Sequence, residues 1–110
     1  MLSISVSKYR KCCADFLEKV LYRPQMYFRT LDELEAIMRG HATAFDQLGI
    51  IDRDKSFHSC FGDWVYSKTG VSSESGWAHA IESLASVEGT DSVKLFSKLV
   101  RSFLIHWDGT

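Results

Sequence analysis

The spacing of apolar residues along the chain predicts α-helices. In two long stretches, near the start and near the end of the chain, apolar side chains recur every three or four residues, as they do on one face of a helix. The first stretch contains Tyr9, Cys12, Cys13, Phe16, Leu17, Val20 and Leu21. The second contains Val93, Phe96, Leu99, Val100, Phe103, Leu104 and Trp107. Each pattern predicts an amphipathic helix that buries one face in a core.

The only proline of the chain separates the first helix from the second. Pro24 is expected to end the first helix, because a proline disfavours helical angles at the preceding residue. We call residues 23–30 the Pro24 corner. Met26 and Tyr27 are expected to pack from this corner into the core.

The second helix carries signals at both of its ends. Thr30 and Glu33 fit a capping box, in which each side chain bonds to the backbone of the other residue. Gly49 is expected to end the helix as its C′ residue. Gly40, in the middle of the helix, costs stability relative to alanine and favours a close helix crossing at that point.

Two more helices are predicted before the last one. A third is expected to begin near Ser56 and a shorter fourth at Trp77, separated by residues 70–76, which are rich in serine and glycine and predict a loop. No stretch shows the alternation typical of a strand, although residues 4–6 or 26–28 could pair briefly. The prediction is therefore an all-α fold.

Length and composition support a single folded domain. The 110 residues are 45% apolar and 25% charged, which is typical of globular proteins. We expect residues 1–110 to form one domain, a single compact bundle of about five helices. No apolar run approaches the roughly 20 residues that cross a bilayer. The start of the chain is too short and too polar for a signal peptide, so a cytoplasmic location without membrane contact is expected.

Charge is unevenly distributed, although the net charge is only −1. Residues 1–29 carry six Lys/Arg and two Asp/Glu, whereas residues 30–54 carry two Lys/Arg and six Asp/Glu. The acidic residues could simply be solvated helix faces. The sharper interpretation is an acidic surface that binds a basic protein, such as a nuclease, and includes one exposed aromatic residue. Its predicted members are Asp32, Glu33, Glu35, Asp46, Asp52, Asp54, Glu74 and Tyr66.

The residues that could carry chemistry form no familiar motif. The four histidines lack zinc-ligand spacing, and phosphate-binding and dinucleotide-binding loops are missing, so no metal or cofactor is expected. Cys12, Cys13 and Cys60 include no C-x-x-C pair and are expected to be reduced, with their reactivity left open.

Two alternative functions remain open. The first is a small enzyme or ligand-binding module with a site built from Cys60, His58 and Asp63. The second is nucleic-acid binding through the basic first helix, which the acidic remainder of the chain argues against.

Several short motifs together resemble a known group of proteins. These are Arg23-Pro24-x-Met26-Tyr27, Leu31-x-x-Leu34-x-x-Ile37-x-x-Gly40, Phe61-Gly62-Asp63-Trp64, Gly76-Trp77-Ala78-x-x-Ile81 and Phe96-x-x-Leu99-x-x-x-Phe103. The chain resembles small helical bacterial immunity proteins of polymorphic and contact-dependent growth inhibition toxin systems. The resemblance implies a non-enzymatic protein that binds and neutralises a cognate toxin in the cytoplasm. It carries over no binding residues and leaves the toxin and the oligomeric state open.

Overall fold

The computed structural model of the protein describes residues 6–108. Its α-helices are α1 (Val6–Tyr22), α2 (Leu31–Gln47), α3 (Phe57–Thr69), α4 (Trp77–Glu88) and α5 (Ser92–Asp108). Single-turn 3-10 helices at Pro24–Met26 and Arg53–Lys55 form parts of two connections. Within residues 6–108 there is no strand, which confirms the all-α prediction. The pairing considered for residues 4–6 falls outside the described residues except for Val6, where α1 begins.

The helix α4 packs against α2, α3 and α5. Its first residue, Trp77, is fully buried, stacks on Phe96 at 5.4 Å between ring centroids and meets the edge of Phe61 at 5.2 Å. Burial of each such aromatic side chain stabilises the fold by about 1.5 to 3 kcal/mol. No helix of the described region is both long enough and apolar enough to span a membrane.

The helix α1 is tied to the rest of the bundle by two long-range hydrogen bonds to helix ends. The backbone N–H of Phe57, at the start of α3, donates to the hydroxyl oxygen of Tyr9 at 2.9 Å. The guanidinium of Arg10 donates to the carbonyl of Trp107 in the last turn of α5 at 3.2 Å. Helix ends leave backbone groups without intrahelical partners, so these side chains act as caps supplied by another helix.

The local signals for the ends of α2 are confirmed. Thr30 accepts from the backbone of Glu33 while the Glu33 carboxylate accepts from the backbone of Thr30, both at 3.3 Å. At the other end Gly49 has φ of 74°, and the N–H of Ile50 donates to the carbonyl of Phe45 at 3.0 Å. This is a Schellman motif, which needs a left-handed residue at C′.

Two packing predictions are wrong. A Cβ added at Gly40 would have no atom within 4 Å, so no helix crosses there. Met26 and Tyr27 do not fill the core either: they are 67% and 39% exposed, and the buried residue of the Pro24 corner is Phe28. A 3-10 turn rotates successive side chains by about 120°, so the residue that points inward depends on the exact turn and not on helical spacing.

Candidate partner-binding site

Two adjoining depressions beside α3 contain three of the acidic residues. The first, of about 310 Å³, is lined by Asp54, His58, Ser59, Gly62, Asp63, Ser73, Gly76 and Trp77. The second, of about 640 Å³, is lined by Asp63, Tyr66, Ser72, Ser73 and Glu74. They share Asp63 and Ser73, and we call them together the acidic depression. Among residues 6–108, no lysine or arginine lines either part.

The loop of residues 70–76 forms one wall of the acidic depression and is held by polar contacts. The hydroxyl of Ser73 donates to the carbonyl of Gly62 in α3 at 3.2 Å. The backbone N–H of Gly76 donates to the carbonyl of Ser73 at 2.9 Å, which closes the turn before α4. Gly62 lies directly against this loop, because a Cβ there would be in van der Waals contact with the Ser73 hydroxyl at 3.4 Å. The loop is therefore fixed in position against α3.

Glu35 does not belong to the exposed acidic surface, and that prediction is wrong. Its side chain is buried, and the whole residue is only 3% exposed. The carboxylate accepts from the backbone N–H of Trp77 at 2.9 Å and also from that of Ala78. Gly76 has no side chain to cap α4, so a glutamate from α2 takes that role. Glu35 thus positions the start of α4, where Gly76 and Trp77 line the acidic depression.

Nearby groups partly offset the cost of burying the Glu35 carboxylate. Desolvation by burial raises its pKa, while the guanidinium of Arg39 and the two amides of α4 act in the opposite direction. Arg39 lies 3.8 Å away and is mostly exposed, so this ion pair contributes less than about 1 kcal/mol. The amide hydrogen bonds are therefore its main favourable contacts.

His58 links this buried carboxylate to the depression. The indole N–H of Trp77 donates to Nδ1 of His58 at 3.0 Å, which assigns the proton of the neutral ring to Nε2. The distance from His58 Nδ1 to Glu35 Oε2 is 3.7 Å, too long for a hydrogen bond. Desolvation and then the charge of Arg39 lower the pKa of His58. The neutral ring is favoured and serves as an acceptor.

The other predicted acids lie outside the acidic depression. Asp32 and Glu33 are exposed in the first turn of α2, and Glu33 is engaged in the capping box. Asp46 lies at the opposite end of α2, where it pairs with Arg53 at 2.9 Å, and Asp52 lies in the connection that follows α2. Fourteen residues of helix separate Asp32 from Asp46 by about 21 Å. The predicted acidic set is thus divided into groups, of which Asp54 and Glu74, with exposed Tyr66, line one surface.

The residues of the alternative enzymatic site are only partly assembled. His58 and Asp63 both line the acidic depression, but Cys60 does not. Its thiol contacts the carbonyl of Asp54 at 3.6 Å, and burial raises its pKa. A nucleophilic cysteine requires the opposite shift. Cys13 is fully buried with its pKa raised to about 12 by burial, and it lies 3.8 Å from Nδ1 of His41.

Two features of this site were missed at the level of sequence. Asp63 entered only as a candidate catalytic residue, although it is the acid shared by both parts of the depression. Glu35 was classed with exposed acids, although it stands on the apolar stripe of α2. No group of three or more His, Cys, Asp or Glu residues in the described region could hold a metal ion.

Comparisons with protein-family models, curated proteins and solved structures give no significant match.

Proposed function

We propose that this protein is an immunity protein that binds a cognate bacterial toxin domain and neutralises it by covering the active or substrate-binding surface. A nuclease is the toxin class that suits the site best. The observation that carries this proposal is the acidic depression, which Asp54, Asp63 and Glu74 line together with three serines. The resemblance to helical immunity proteins points to the same class. The protein would act in the cytoplasm of the cell that produces the toxin.

The charge of the depression explains why a nuclease suits it. A nuclease binds the phosphate backbone with lysine and arginine side chains, so its substrate site is positively charged. Three carboxylates with no lysine or arginine among the described lining residues form a complementary surface, which speeds association and disfavours partners of the wrong charge. Tyr66, which lines the depression and is 58% exposed, adds the kind of aromatic anchor that is enriched in protein interfaces.

The polar residues behind the surface support a rigid binding site rather than a flexible one. Glu35 fixes the start of α4, His58 accepts from Trp77, and Ser73 ties the loop to α3. A surface that is already ordered loses little conformational entropy on binding. These contacts therefore favour tight recognition of one partner.

The test begins with the protein encoded next to this chain. If a neighbouring gene encodes a large exported protein, its C-terminal domain should stop growth when expressed alone, and co-expression of this protein should restore growth. Binding to a catalytically inactive form of that domain would be measured by calorimetry at several salt concentrations. Absence of protection and of binding would reject the proposed function.

A charge-matched pair of variants tests the surface. Asp54→Lys with Glu74→Lys should weaken binding at least tenfold, because two attractive charges become repulsive. Glu82→Lys with Glu88→Lys makes the same change of net charge on α4, outside the depression, and should leave the affinity nearly unchanged. If both double variants bind and protect equally, the toxin contacts another surface, although the function itself would stand.

A further inference from the structure

The Pro24 corner exposes a group of large apolar side chains that the acidic depression does not use. We define the corner patch as Tyr22, Met26, Tyr27 and Ile37, all of which are exposed, Tyr22 to 79%. Exposed apolar groups that lie together mark interaction surfaces more often than single exposed residues do. Tyrosine, methionine and arginine are also enriched in interface cores, and two arginines, Arg23 and Arg29, flank Met26 and Tyr27.

The corner patch is held in a defined conformation. The N–H groups of Tyr27 and Phe28 both donate to the carbonyl of Pro24, at 3.0 and 3.1 Å, and buried Phe28 anchors the turn. The ring of Tyr27 meets Phe16 edge to face at 5.9 Å. A patch that is already ordered sacrifices little entropy when it is covered.

The patch adjoins two hollows. A depression of about 480 Å³ lies on one side, lined by Asp15, Glu18, Lys19, Tyr22, Arg23, Met26 and Tyr27. A second, of about 510 Å³, lies on the other, lined by Gln25, Met26, Tyr27, Phe28, Arg29, Glu33, Ala36 and Ile37. Met26 and Tyr27 line both, so they lie between the two hollows. In a two-fold contact, the exposed side chains of Met26 and Tyr27 of one copy can enter a hollow of the other.

Acidic and basic side chains occur in equal numbers around the patch. The first hollow contains Asp15 and Glu18 together with Lys19 and Arg23. The second contains one charge of each sign, Glu33 and Arg29. A neutral surface with both signs offers no net attraction to a highly charged partner. It does allow acids of one copy to face bases of another, which is charge complementarity with itself.

We propose that the corner patch binds a second copy of this chain about a two-fold axis, with Met26 and Tyr27 at the centre of the contact. The hollows of the patch share no lining residue with the acidic depression, so the dimer leaves that depression open. The dimer therefore does not depend on the proposed toxin binding, and either can fail without the other.

Sedimentation velocity over a concentration series that reaches the millimolar range tests the dimer. The wild-type protein should pass from monomer to dimer, and Met26→Asp should weaken dimerisation at least tenfold. Val87→Asp places the same charge at a residue that is exposed on α4 outside the patch, and it should dimerise like the wild type. A wild-type protein that stays monomeric throughout, or equal effects of the two substitutions, would overturn the proposal.

A mixing experiment tests the two-fold charge pairing. One variant, Lys19→Glu with Arg23→Glu, carries an acidic patch, and another, Asp15→Lys with Glu18→Lys, carries a basic patch. Each should dimerise at least tenfold more weakly than the wild type, because like charges meet across the axis. An equimolar mixture should recover dimerisation. Failure of the mixture to exceed the separate variants, while circular dichroism shows both folded, would contradict the self-contact.

Discussion

Replacement of Glu35 by alanine should be among the most destabilising changes of a charged residue in this protein. The carboxylate accepts from the backbone N–H groups of Trp77 and Ala78 at the buried start of α4. Leaving a buried donor unsatisfied costs about 1 to 3 kcal/mol. Water from the neighbouring depression can reach part of the vacated space, and loss of the buried charge relieves some desolvation. We therefore expect Glu35→Ala to lower the free energy of unfolding by about 2 to 3 kcal/mol.

Gly76 provides a second test of the capping role of Glu35, because the backbone of Gly76 lies against the Glu35 carboxylate. Its φ is 96°, and a Cβ there would lie 2.8 Å from Cδ of Glu35 and closer still to both oxygens. Gly76→Ala should thus combine backbone strain of about 1 to 2 kcal/mol with a collision. In the Glu35→Ala background only the strain remains. The two substitutions should be coupled by about 1 to 2 kcal/mol.

Urea unfolding followed by circular dichroism and tryptophan fluorescence would measure these free energies. The slope of the free energy against urea should stay the same, so that midpoints can be compared directly. Glu33→Ala is the matched control, because it removes an exposed capping carboxylate from the same helix and should cost about 1 kcal/mol. The reasoning is refuted if Glu35→Ala costs no more than Glu33→Ala, or if Gly76→Ala costs the same in both backgrounds.

Three further predictions follow from buried polar groups. Tyr9→Phe removes the acceptor of the Phe57 N–H and should cost about 1 to 3 kcal/mol in urea unfolding. Burial lowers the pKa of His58, so its contribution to stability is present above the ordinary value of 6.5 and is lost as the pH falls below it. His58→Asn, which keeps an acceptor near the indole N–H of Trp77, should remove this part of the pH dependence. Burial raises the pKa of Glu35, so ionisation of this carboxyl group costs the folded state stability as the pH rises from 4.5 through the raised value. Glu35→Gln does not titrate, so the wild type should lose stability relative to Glu35→Gln over that pH range in urea unfolding.

The helices could be predicted from sequence because their signals are local. The capping box of Thr30 and Glu33 and the C′ glycine Gly49 act within one or two turns of backbone. The exposure of Tyr66 also followed from its place off the apolar stripe of α3. Such features need no knowledge of the tertiary arrangement. They account for the correct number and order of helices within residues 6–108.

The burial of Glu35 had a signal in the sequence, but its partner did not. Leu31, Leu34 and Met38 define the buried stripe of α2, and position 35 lies on that stripe at i+4 from Leu31. An acid on an apolar stripe indicates a buried carboxylate. The groups that satisfy it are the amides at Trp77, 42 residues further along the chain. No periodicity predicts that contact, because it depends on how α4 is placed across α2.

The Pro24 corner shows how one local change of geometry creates a surface. The sequence predicts that Met26 and Tyr27 pack into the core, whereas Phe28, which follows the 3-10 turn, is the residue that is buried. Because the core at this corner is completed by Phe28, burial does not explain the large apolar side chains at positions 26 and 27. Polar residues at positions 26 and 27 would make the protein more soluble, since exposed apolar groups promote association. Their presence beside balanced charges is the physical reason to expect a specific contact at the corner, separate from the acidic surface that suits a basic toxin.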